Sequence, residues 1–110
     1  MNPANIYRSF VETGTAWAEA SFLHQQLDDQ TKSILAAIII EAKEVENVGS
    51  MAEATQIALA SSLYRAHLTE VAKAKRDALL AKVSYDAIKA LFDAQRTVEA
   101  TSRAASGAAT

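Results

Sequence analysis

Apolar residues recur at spacings of three, four and seven through most of this 110-residue chain, the period of a helix that buries one face. The first stripe is Tyr7, Phe10, Trp17, Leu27, Ile34, Ile38 and Val45, with Ala20, His24 and Thr31 filling the gaps. It predicts a helix from about residue 3 to about residue 46, with Asn2 as its cap and Pro3 at the first helical position. Gly14 is the weak point: a helix-interior glycine costs about 1 kcal/mol against alanine. Residues 3–13 are therefore expected to bend, fray or form a separate short helix.

The stretch "ENVGS" ends this helix, with Gly49 placed for a left-handed terminal residue. Ser50-Met51-Ala52-Glu53 then reads as a capping box, opening a short helix over residues 51–60 that ends in the soft junction "ASSLY". A second long helix is expected over about residues 62–104. Its stripe is Leu63 or Tyr64, His67, Val71, Ala74, Ala78, Ala81, Tyr85, Ile88, Phe92 and Gln95.

Two long helices joined by a short capped segment favour an all-α fold, an antiparallel hairpin with a short middle helix. Residues whose numbers sum to about 108 would face each other, setting Trp17 beside Leu91 and Phe92, Leu27 beside Ala81 and Ile34 beside Ala74, large against small. "ILAAIII" (34–40) is apolar around most of its circumference, so either the middle helix folds over it or a second copy does. The expectation is a dimeric four-helix bundle, with residues 1–104 as a single helical domain and 105–110 as a disordered tail.

Composition agrees. Half of the residues are apolar, 6% are aromatic, and glycine and proline number three and one, which favours helix over strand. There is no cysteine, which excludes disulfides and thiolate chemistry. The seven-residue run 34–40 falls far short of the roughly 20 residues that cross a bilayer, and "MNPANIYRSF" lacks the pattern of a secretory signal. A cytoplasmic protein that does not engage membranes is expected. Net charge is −2, with three Lys/Arg against eight Asp/Glu in residues 1–60 and eight against five in residues 61–110. The two halves should attract each other if they lie side by side.

Catalytic signatures are missing: no G-x-S-x-G, no phosphate-binding loop and no H-E-x-x-H. His24 with Asp28 and His67 with Glu70 have helical spacings at which metals are sometimes held. In the register above His24 faces Tyr85 and His67 faces Glu41, which suits ordinary hydrogen bonds. The chain is read as non-enzymatic, with no metal and no cofactor.

Two features suit binding. Lys75, Lys82, Lys89, Arg96 and Arg103 recur every seven residues, forming one line with cations roughly 10 Å apart. Such a row can track a nucleic-acid backbone. Against that, Asp86 and Asp93 lie four residues after Lys82 and Lys89, and Glu99 four before Arg103, so local pairs quench much of it. The second feature is apolar: Tyr7, Phe10 and Trp17, with Leu35, Ile39 and Ile40, are the candidate protein-interaction residues, for a partner protein or a second copy.

The segment Lys82–Ala104 carries Tyr85-Asp86-Ala87, Phe92-Asp93-Ala94-Gln95-Arg96-Thr97 and Ala100-Thr101. With "AWAEASFLHQQL" around Trp17 and Glu19, it resembles small helical proteins of tailed bacteriophages and prophages, over residues 16–104. The resemblance implies an accessory protein encoded near replication and recombination genes, supplies no catalytic residues, and leaves "MNPANIYRSFVETG" and "MAEATQIALAS" uncovered. Three roles follow: protein–protein interaction in DNA replication, recombination or host takeover, inside a bacterial host; direct nucleic-acid binding through the cation row; or inhibition of a host or defence enzyme.

Overall fold

A computed structural model of the chain describes residues 2–45, 47 and 49–109, with side chains described up to residue 107. Among them every regular element is helical: α1 Pro3–Asp29, α2 Thr31–Val45, α3 Met51–Ala60 and α4 Ser62–Ala109.

The caps follow local chemistry. The Asn2 side chain accepts the Asn5 amide at 3.0 Å, and Ser50 Oγ accepts the Glu53 amide at 3.1 Å, each satisfying a first-turn donor that the helix leaves open. Ser61 serves two helices. Its amide donates to the Ala58 carbonyl that ends α3, and its hydroxyl accepts the Tyr64 amide that opens α4, both at 3.1 Å.

Four local expectations change. The first long helix is interrupted at Gln30. There the Leu27 carbonyl is taken by the Gln30 amide three residues on, at 3.3 Å, and by the Thr31 hydroxyl at 3.4 Å. A side-chain hydroxyl competing for a helical carbonyl, at a helix end carrying Asp28 and Asp29 and no base, favours termination. By contrast, α1 runs unbroken through Gly14. The left-handed residue after α2 is Asn47, φ 54°, and no described glycine has positive φ; asparagine is the commonest substitute for glycine in that conformation. At the other end, α4 continues to Ala109, beyond residue 104.

The chain forms two compact units, one of Met1–Ala20 with Ala78–Thr110 and one of Ser21–Asp77. In the first, the terminal unit, Phe10 stacks on Phe92 and Trp17 on Tyr85, with centroids 5.1 Å apart in each pair. Residue numbers rise on α1 as they fall on α4, so the two segments run in opposite directions. Both pairs sum to 102, not 108. In the second, the middle unit, Thr31 Oγ1 lies 2.9 Å from His67 Nε2, where Glu41 had been expected as the partner. The displacement is six residues in the terminal unit and ten in the middle unit, where Thr31 stands in the place expected of Glu41. Aromatic pairing, which spacing does not encode, selects the shorter register.

The core is lined by alanine. Ala54 and Ala58 are fully buried, Ala42, Ala74 and Ala78 nearly so, and Ile6 is the single large side chain among them. In the middle unit α3 packs against α2, so the middle helix covers part of "ILAAIII": Ile34, Leu35, Ile38 and Ile39 are half-buried, while Ile40 stays exposed. Small residues at such a contact let the backbones approach closely. No described helix is long and apolar enough to cross a membrane.

Candidate interaction surfaces

The terminal unit is organised by four rings. Tyr85 lies between Phe10, at 5.3 Å and 42°, and Trp17, at 5.1 Å and 29°, while Phe10 also stacks on Phe92 at 24°. Gly14 sits between Phe10 and Trp17 on α1, and a Cβ there would lie 3.4 Å from Tyr85 Cε2. The missing side chain leaves an open groove of about 440 Å³, lined by Phe10, Val11, Gly14, Trp17, Ala18 and Tyr85.

The cation row is exposed throughout: Lys82, Lys89, Arg96 and Arg103 in the terminal unit, Lys75 in the middle unit. Lys82 Nζ is 6.0 Å above the Trp17 ring, a cation–π geometry. The sequence pattern hides this aromatic neighbour because it comes from the other helix. Further along, Arg96 and Arg103 share an open hollow on α4 with Asp93 and Glu99, so acids accompany the cations at that end.

Of the apolar candidates, Tyr7 is 61% and Ile40 56% exposed, whereas Phe10, Trp17, Leu35 and Ile39 are half-buried. His24 is half-buried in the middle unit and His67 is engaged by Thr31. No three His, Asp or Glu side chains cluster as a metal site among the described residues.

A second set of surfaces was missed by reading one stripe per helix. On α1, Ala4, Tyr7, Val11, Thr15 and Ala18 are all exposed, and helical geometry places them within about 80° of one another. No charge falls inside that arc; Arg8, Glu12 and Glu19 lie together along one edge of it. On α4, Leu80, Val83, Ala87, Leu91, Ala94 and Val98 are likewise exposed and form a charge-free stripe nearly opposite the packed face, edged by Asp86 and Asp93. The signal that would have found them is a second run at three-and-four spacing, offset around each helix.

Compared with protein-family models, curated proteins and solved structures, the chain matches none of them.

Proposed function

We propose that this chain is a non-enzymatic accessory protein that acts by protein–protein interaction, of the small helical phage type, working beside DNA replication or recombination proteins or in host takeover. In this reading the long helical stretches form one antiparallel hairpin, and two copies associate as a four-helix bundle inside the bacterial host cell. The observation that carries it is the exposed apolar surface: charge-free stripes on both helical segments of the terminal unit. Large uncovered apolar patches mark interaction sites. The phage setting rests on the sequence resemblance over residues 16–104.

A second reading is favoured by the exposed cation row and by Lys82 over Trp17: direct contact with nucleic acid through Lys75, Lys82, Lys89, Arg96 and Arg103. Phosphate-led binding weakens steeply with salt, so light scattering with and without a single-stranded oligonucleotide, at low and high salt, separates the two. A dimer mass unchanged by oligonucleotide supports the protein-interaction reading. A mass that rises with oligonucleotide and reverts with salt supports the cation row, and Lys82→Glu with Lys89→Glu should then abolish the rise.

A further inference from the structure

We infer that a second copy of this chain docks on the outer stripe of α1, antiparallel, with Val11 of each copy seated over Gly14 of the other. This rests on the self-association proposed above, and it adds the surface, the direction and the register.

The stripe is self-complementary in one arrangement. A two-fold axis makes each residue i meet the same residue j in both directions. Centring that axis between residues 12 and 13 pairs Tyr7 with Ala18 and Val11 with Gly14, so each large side chain meets a small one. The groove over Gly14, walled by Phe10, Trp17 and Tyr85, then receives the second copy's Val11, which is 48% exposed in a single chain. A parallel pairing would instead set Tyr7 on Tyr7 and leave Gly14 facing Gly14, an unfilled gap.

Charge selects the same arrangement. Arg8, Glu12 and Glu19 are exposed on the same edge of the stripe, and the antiparallel register brings each Arg8 within two residues of the second copy's Glu19, giving two opposite-charge pairs per dimer against the single like-charge meeting of Glu12 with the second copy's Glu12 at the axis. Flanking charges of this kind set orientation in paired helices. The outer stripe of α4 does worse: a two-fold pairing that matches Leu80 with Val98 and Ala87 with Leu91 sets Asp86 against Asp93 twice per dimer, and the edge formed by Leu79, Asp86, Asp93 and Ala100 has no Lys or Arg to offset it. Of the two stripes, α1 suits a second copy.

The test is sedimentation or light scattering across a concentration series, with helix content checked for each variant by circular dichroism. Wild-type chain should dimerise. Val11→Glu, at a position already open to solvent, should leave helix content unchanged and raise the dimer dissociation constant by about 100-fold. Arg8→Glu alone should raise it by about tenfold, and adding Glu19→Arg should restore most of the loss. A wild-type dimer that ignores both Val11→Glu and Arg8→Glu, but dissociates with Val83→Glu on α4, overturns the α1 surface while leaving self-association standing. A wild-type chain that stays monomeric at all concentrations overturns both.

Discussion

The Trp17 ring stacks on the Tyr85 ring, centroids 5.1 Å apart and planes 29° from parallel, and the same Tyr85 ring meets Phe10 on its way along α1. Because one ring serves two neighbours, the contributions should not add. Trp17→Ala and Tyr85→Ala are each expected to cost about 2 kcal/mol, less than for fully buried rings. In a double-mutant cycle the pair should show a coupling of about 1 kcal/mol. Urea unfolding followed by circular dichroism gives all four corners. Trp17, the chain's single tryptophan, reports the terminal unit by fluorescence wherever it is retained.

Gly14 separates two accounts of α1. If it serves as a hinge, alanine there should do harm. The structure instead shows an unbroken helix with room for a Cβ at contact distance, 3.4 Å from the Tyr85 ring edge. Gly14→Ala should therefore raise stability by up to about 1 kcal/mol through helix propensity, read as a higher melting temperature in dilute solution. A larger side chain, as in Gly14→Leu, would collide with Tyr85 and lower it.

The Thr31–His67 bond ties α2 to α4 within the middle unit at 2.9 Å. Thr31→Val keeps the shape but leaves the half-buried ring nitrogen without that partner, at an expected cost of about 1 kcal/mol. Thr31→Ser keeps the hydroxyl and should cost less. His67→Ala in the Thr31→Val background should add little beyond lost packing, which a thermal melt of the three variants checks.

Ala58 has no exposed surface and lies on α3, which packs against α2. Ala58→Leu adds three carbons where nothing can yield without moving a helix, and is expected to cost about 1–3 kcal/mol. Ala52→Leu, on the exposed side of α3, should be nearly neutral and serves as the comparison.

Helical period and capping residues carried most of the architecture. The stripe read for the second long helix, from Tyr64 through His67, Val71 and Tyr85 to Gln95, is the set of positions on α4 that the structure half-buries or buries. Asn2, Ser50 and the junction at Ser61 were legible because caps are local chemistry. Register was not, since a stripe at three-and-four spacing fits its partner at several offsets, and only the meetings of Phe10 with Phe92, Trp17 with Tyr85 and Thr31 with His67 tell them apart. The break at Gln30 escaped notice because neither glycine nor proline marks it; it arises from a threonine hydroxyl and two neighbouring aspartates. The outer stripes went unread for a different reason. One buried face per helix accounts for a hairpin, so a second apolar face raises no alarm until exposure is measured.

The alanine lining has a calorimetric consequence. Each methyl that α2, α3 and α4 hide removes little surface from water, and much of the chain's apolar surface is already wet in the folded form. Unfolding a single copy should therefore release an unusually small heat-capacity increment, below the roughly 12–15 cal/mol/K per residue of ordinary domains. Its stability curve should be correspondingly flat, with a broad melt that shifts upward as protein concentration increases.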